Sequence, residues 1–526
     1  MSKLTLLKPY ITKEQPFGPI DSYEIGQDDI EVLKLLFEKQ NRIYKSFRDR
    51  PSIIMGRRGS GKTSYLRSVF FDKQYDNYIE IPTVNALENF ASIVQDLSKD
   101  VVFTETLWKL WEKTLWTCAL AHIYSKSLLI SGELGVIAEY LKAMDIKNGI
   151  SSDSIFWKLF DLYREVVKNN PKNGLSEILR EFDKRNFEGA KATAISGLKA
   201  SRKKIVMLMD SLENLNLDTE SIELAIQGLL KFAGSMNNPK DVVDIRLCLP
   251  TELSRKIYEI SSNPIKDFNR EVKLEWTAKE LISIGAQRLM YFIGLYYPDL
   301  LHKGKSPLDE LTREEAKALI KFVLPEKVTN QRGFQENSLS YILRHTQLLP
   351  RHFLMLLNSI FKSTGTTQIL THFPVQEEKI IYGIRQVEER IVKEIFGAFK
   401  VIYPSAEEVC KRCLPQLEHV FHVGLLHKVY NRFGKAVFHG DEFFDFQQML
   451  IEIGAIGRVI PGTESDLYIK GKFNYTVGHD LTINYEDHLC LHPLFSGIYS
   501  SDGKPEHPVY PDGSGLDDQD YRNISD

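Results

Sequence analysis

A chain of 526 residues exceeds one typical domain, and two to four are expected. Its apolar share of 43% and charged share of 26% are those of an ordinary globular protein, and a net charge of −3 gives no chain-wide pull toward nucleic acid or a membrane surface. The five scattered cysteines make no disulfide framework and fit a reducing, cytoplasmic setting.

In chain order, the opening "MSKLTLLKPYITKEQPFGP" holds no long apolar core, so no leader is expected. No apolar run reaches the roughly 18 residues of a spanning helix, so no membrane is expected. Asp28 or Asp29 can cap a helix with Ile30, Leu33, Leu36 and Phe37 inward. "SIIM" then reads as a buried strand, and "GRRGSGKT", Gly56 to Thr63, fits G-x-x-x-x-G-K-[ST]. The residue types answer one chemical need. Gly56, Gly59 and Gly61 let the backbone wrap a phosphate with its N–H groups inward, Ser60 and Ser64 flank that cradle, Lys62 reaches the β- and γ-phosphates, and the Thr63 hydroxyl meets Mg²⁺. "TSYLRSVFF" continues as a helix with Leu66, Val69 and Phe70 on one side.

"YDNYIEIPTV" (75–84) alternates like a strand, and about 87–200 reads as a helical insertion whose Trp108, Trp111, Trp116 and Trp157 are expected in a core. "KKIVMLMDSLENL" supplies an apolar run, Ile205 to Met209, closed by Asp210. Such a run suits a parallel strand covered on both faces, whose carboxyl end faces the ligand crevice, where Asp210 would hold the magnesium. A helix near 219–234, a strand "DVVDIRLCLP" (241–250), a strand leading to Thr277 as a helix cap, and an apolar helical pair broken before Pro350 follow.

Residues 385–475 have a winged-helix pattern. A helix with Phe446, Leu450 and Ile453 inward turns at Gly454 and Gly457 into a two-stranded wing, "DLYIKGKFNYTV". From Arg385 to Lys472 twelve basic residues face twelve acidic ones, which does not support a DNA reader, although folding could still gather the lysines on one face. Cys410, Cys413, His419 and His422 sit too close together for the usual zinc finger, so helix surface and core is the stronger reading. His492 reads as a satisfied core histidine, and residues 501–526 as a disordered acidic tail.

The order strand, glycine loop, strand, acid-ended strand, strand, followed by "VKLEWTAKEL…QRL" and "LLPRHFLMLLN", resembles the AAA+/STAND branch of P-loop ATPases. It is most similar to bacterial ATPases with a P-R-[DH]-x-[LI] signature in the helical lid, and more distantly to the Orc/Cdc6 initiators. The resemblance spans residues 20–360 and implies an α/β fold: a P-loop core (1–276), a helical lid (277–375) and a winged-helix-like α+β domain (376–500). It also implies ATP and Mg²⁺ as ligands, Thr251 as the polar sensor of the γ-phosphate, and Arg351 as the lid arginine that reaches the nucleotide; Arg351 as a plain helix-start arginine and Thr251 as a helix cap stay open. In the family's active pattern a glutamate directly follows the magnesium aspartate. Here Ser211 does, and Glu213 is the next acid, so the expected ATPase is slow, with Lys62, Asp210, Glu213 and Arg351 as its catalytic set. No spacing selects an arginine finger among Arg246, Arg255 and Arg270. The implied role is a regulatory switch or motor subunit with a protein partner or a second copy of itself, antiphage defence being the family context. The rivals are an initiator-like ATPase whose winged helix grips DNA, and an ATP-binding scaffold with little turnover.

Overall fold

Apolar runs that would be half-wasted on a one-sided sheet become strands covered on both faces. In the computed structural model, which describes residues 3–26, 29–37, 52–71, 77–96, 104–170, 173–210, 219–236, 242–261, 263–268, 270–301, 306–330, 333–362, 373–438, 440, 442–462, 468–477, 480–499 and 508–515, these runs are β1 (Ile53–Gly56), β3 (Ile205–Met209) and β4 (Val243–Pro250), flanked by two half-covered edge strands, β2 (Asn77–Ile81) and β5 (Glu271–Leu274). Every residue of β1, β3 and β4 is buried, as central parallel strands require. The sheet is parallel throughout, in the order β2-β3-β4-β1-β5.

The chain forms two units. One comprises residues 42–57 and 62–274 and contains this sheet. Among the described residues between β2 and β3 it carries six helices, from Thr83–Asp96 to Phe187–Ser201, where the helical insertion is expected. Trp111 and Trp116 are in its core, with Trp111 stacked on Phe90. Trp157 is not: it lies on the outward side of helix Ser152–Asn169, 44% exposed, because Ile155, Phe156, Leu159 and Phe160 already fill the inward stripe. Leu66 is buried on helix Lys62–Arg67, and the side chains of Val69 and Phe70 lie outside the described residues.

The other unit comprises residues 1–41, 58–61 and 275–526. Two packing features of this unit bear on the expected boundaries at 276, 277–375 and 376–500. The N-terminal segment belongs with the C-terminal half, because Leu7, Ile11 and Phe17 are fully buried and Phe17 meets Phe361 edge-to-face. Residues 275–526 are also one body, since helix Pro350–Phe361 packs along helix Glu377–Phe399, where a side chain at Gly383 would collide with the Ile360 backbone. Thr277 caps helix Ala278–Tyr296 as expected, and Glu280 returns the bond to make the cap reciprocal. Asp29 stands at the start of helix Ile30–Leu36 but makes no side-chain cap, and Asp28 lies outside the described residues.

This unit also holds the hairpin β6 (Lys327–Thr329) and β7 (Gln335–Asn337), and a mixed sheet. The sheet's strands are β8 (Val420–His422), β9 (Ile456–Val459), β10 (Ile469–Lys472), β11 (His488–Leu491) and β12 (Val509–Pro511), in the order β12-β10-β9-β11-β8. Two expectations change. "DLYIKGKFNYTV" gives one strand, β10, and a short turn at Asn474–Thr476, and Gly457 lies inside β9, where a Cβ would come within 2.6 Å of the Lys472 carbonyl. Residues 508–515 are not a disordered extension. Pro508 to Pro511 are buried, β12 pairs with β10, and Ser340 Oγ donates to the Gly515 carbonyl; an apolar Val509-Tyr510 pair hidden among Pro, Gly and Asp is enough to anchor the strand. His492 is fully buried, its ring paired with the Tyr475 hydroxyl at 2.7 Å, as expected.

Beside β12 lies a charged core. Glu336 takes Arg344 and the Tyr510 hydroxyl, while His345 Nε2 stands 3.5 Å from a Glu388 oxygen. Burial pushes the Glu388 carboxyl up to about 7 against the pull of Arg344 and Arg385, and burial with the adjacent Arg344 holds the His345 imidazole well below its ordinary value. The raised carboxyl stabilises the fold fully below its ordinary value of 4.5, and that contribution is lost as pH rises through about 7. Glu388→Gln is therefore expected to match the parent at about pH 4 and to be the more stable by roughly 3 kcal/mol at about pH 8, read from denaturant unfolding at both pH values. A gap that stays constant with pH would show that Glu388 does not titrate between the two.

Candidate functional site

The connection leaving β1 runs toward β2 at one edge, and those leaving β2, β3 and β4 run back the other way. Right-handed crossovers then place helix Lys62–Arg67 and helix Glu220–Ser235 on opposite faces. Adjacent strands β1 and β4 send their connections off opposite faces, and ligands of open α/β sheets lie in the crevice at the carboxyl ends of such a pair.

The loop after β1 occupies that position. Gly59 and Gly61 adopt φ of +84° and +91°, which other residues reach only with strain. Among the described residues a Cβ at Gly61 would meet nothing within 4 Å. Lys62 opens the helix, 6% exposed, with Nζ donating to the carbonyls of Gly56 at 2.9 Å and Arg57 at 3.3 Å. Thr63 follows, and its hydroxyl donates to Asp210 Oδ2 at 2.6 Å. The register explains the meeting. Gly56 pairs with Pro250, and Met209 pairs with Leu247, so Asp210 follows β3 two residues below the level of Gly56, the last residue of β1. Residues 147 apart in sequence are thereby joined. Thr251 begins a short 3-10 turn at the end of β4, the strand lying between β1 and β3. Ser64 is half-buried on the helix. Ser211 and Glu213 lie outside the described residues.

Within the other unit, residues 58–61 of the same loop meet Trp276 and Arg351. The Trp276 indole N–H donates to the Ser60 carbonyl at 2.9 Å, and the Arg351 backbone N–H to the Gly59 carbonyl at 3.3 Å. The Arg351 side chain lies along Gly59, where a Cβ would stand 3.0 Å from its own Cβ. Its Nη2 donates to Asp21 Oδ2 at 2.5 Å. Two successive carbonyls of the loop, Gly59 and Ser60, are thus engaged within this unit.

Sequence reading missed Trp276 and Asp21. Trp276 had no motif to mark it; Asp21 had the faint signal of Asp-x-x-Glu, and Asp21 and Glu24 do form a reciprocal cap. Of the arginine-finger candidates, Arg246 is buried in β4 and Arg255 pairs with Glu259 on an exposed helix face. Cys410 and Cys413 are both buried, burial pushing the Cys413 thiol up to about 11, and among the described residues no group of three or more Cys, His, Asp or Glu is placed to hold a metal. Also among the described residues, no helix is long and apolar enough to cross a membrane. No protein-family model matches the chain, and no curated protein matches it.

Proposed function

We propose that the chain is an ATP-binding, Mg²⁺-dependent ATPase of the P-loop class, of AAA+/STAND type, that works as a nucleotide-controlled switch or motor subunit on a protein partner. The observation that carries this reading is the Thr63–Asp210 hydrogen bond at the carboxyl ends of a parallel sheet, beside a left-handed glycine loop. A hydroxyl and a carboxylate are hard oxygen donors of the kind Mg²⁺ takes while keeping most of its waters, so the residues fit the ion. Bound there, Mg²⁺ would supply charge withdrawal at the phosphate oxygens. The chain's own residues do the rest. The loop amides cradle the phosphates, Lys62 swings from the Gly56 and Arg57 carbonyls to a phosphate, and Asp210 with Thr63 fixes the position of the ion. Arg351 is the proposed lid arginine, Thr251 the proposed γ-phosphate sensor, and Glu213 the proposed holder of the attacking water.

For residues 376–500, the order of β8, helix Val423–Val429, helix Phe443–Glu452, β9 and β11 supports a winged-helix-like reading with β10 as an added strand. The outward side of helix Phe443–Glu452 presents Phe444 and Asp445, with Glu442 just before it. An acidic and aromatic surface favours a protein partner over the phosphate backbone of DNA. The test is a calorimetric titration with ATP, with and without Mg²⁺. One saturable site, tightened by the ion, is expected; absence of saturable binding in both conditions would end the nucleotide reading.

A further inference from the structure

Resting on the nucleotide reading above, we infer that Asp21 is a positioning residue for Arg351, so that the segment before the glycine loop is a working part of the site. The two oxygens of Asp21 have separate tasks. Oδ1 accepts the Tyr23 N–H and caps the turn Ser22–Glu24, and Oδ2 takes Arg351 Nη2. The segment is fixed to the very helix that carries Arg351. Asn358, two turns along helix Pro350–Phe361, accepts the Phe17 N–H at 2.8 Å and donates to the Gly18 carbonyl at 3.0 Å. The half-buried Arg288 holds the carbonyls of Phe17 and Pro19 from helix Ala278–Tyr296. Asp21 is therefore held in place relative to Arg351 by bonds that do not involve Arg351 itself.

The guanidinium is oriented but not consumed. Among the described residues Nη2 is the only side-chain donor of Arg351 engaged, leaving Nε and Nη1 for an anion, while the aliphatic stem lies against Gly59. The pair is half-shielded, with side chains 19% and 32% exposed, so water weakens it without dissolving it. An arginine whose fork is set before the ligand arrives loses less freedom on binding, and the gain goes to the ligand that uses those donors. ATP, with its extra phosphate, profits and ADP does not.

The test is calorimetric affinity for Mg-ATP and Mg-ADP, with thermal unfolding alongside, for the full chain carrying Asp21→Asn, Asp21→Glu, Arg351→Ala, and Asp21→Asn with Arg351→Ala. Asparagine keeps the capping oxygen and removes the charge. Asp21→Asn should narrow the preference for ATP over ADP by about threefold to tenfold and leave ADP affinity within about twofold. Asp21→Glu should restore part of that preference. Arg351→Ala should lose it by itself, with nothing further lost in the double variant. A parental ATP preference in Asp21→Asn, with only the melting temperature lowered, would make the pair a stability contact and overturn the inference. So would an increased preference, which would mean that Asp21 competes with the nucleotide. Both of those outcomes leave the nucleotide reading standing; a parent protein that binds neither nucleotide overturns both.

Discussion

Lys62→Ala is expected to abolish tight ATP binding and leave the fold intact. The amine is almost wholly enclosed, and it bends back to donate to Gly56 and Arg57, the carbonyls that bound the loop's mouth. In the proposed complex those donors move to the β- and γ-phosphates. A hydrogen bond to a charged group is worth roughly 1.5–3 kcal/mol, so losing two costs about a hundredfold or more in affinity. The substitution leaves the Gly56 and Arg57 carbonyls without this donor, so the loss of stability should be about 1–3 kcal/mol. Lys62→Arg should rescue little, because a planar fork does not fit a position shaped for a single ammonium. Calorimetry with ATP and a thermal melt of the free protein separate the two effects. Unchanged ATP affinity in Lys62→Ala would remove the loop from the site.

The parts of this architecture that were legible in the sequence are those written in contiguous residues. The runs "SIIM", "IVMLM" and "DIRLCLP" announce buried parallel strands because both faces of such strands are covered. The glycine loop is legible because its chemistry requires fixed types at fixed spacing, and the Thr277 cap because a threonine just before a helical run supplies the capping oxygen. What was not legible depends on pairing between distant segments. Strand order, and with it the meeting of Thr63 and Asp210, follows from which strands lie side by side, and nothing in any one strand specifies that. The N-terminal segment escaped because Leu7 closes one short 3-10 turn and Ile11 and Phe17 follow outside any helix or strand, too short a run to set a period. β12 escaped because three residues of strand sit inside a Pro- and Gly-rich composition. Trp276 acts through one indole N–H and Asp21 through one carboxylate, and a single residue outside a motif carries no spacing to read.

Asp210→Asn should weaken Mg²⁺-dependent hydrolysis far more than it weakens nucleotide binding. The substitution preserves shape, and the asparagine carbonyl can still accept the Thr63 hydroxyl, so β3, the loop and the contact between them should persist in the free protein. What disappears is the charge. In the absence of Mg²⁺ the variant should bind ATP as the parent does, or slightly better, because a carboxylate no longer faces the triphosphate. With Mg²⁺ present, the ion loses an anionic ligand held through Thr63 and β3, and with it several kcal/mol of stabilisation where charge develops on the phosphate oxygens, so turnover should fall by about a hundredfold or more. The two variants thus divide the site. Lys62→Ala removes binding with or without the ion, whereas Asp210→Asn leaves ion-free binding and removes the benefit of adding Mg²⁺. Steady-state phosphate release across a Mg²⁺ titration, paired with ATP affinity in chelator, reads both quantities. If Asp210→Asn turns over ATP at the parental rate and keeps the parental response to Mg²⁺, then Asp210 does no more than close the end of β3 by holding Thr63, and the ion, if it binds, is held by other oxygens.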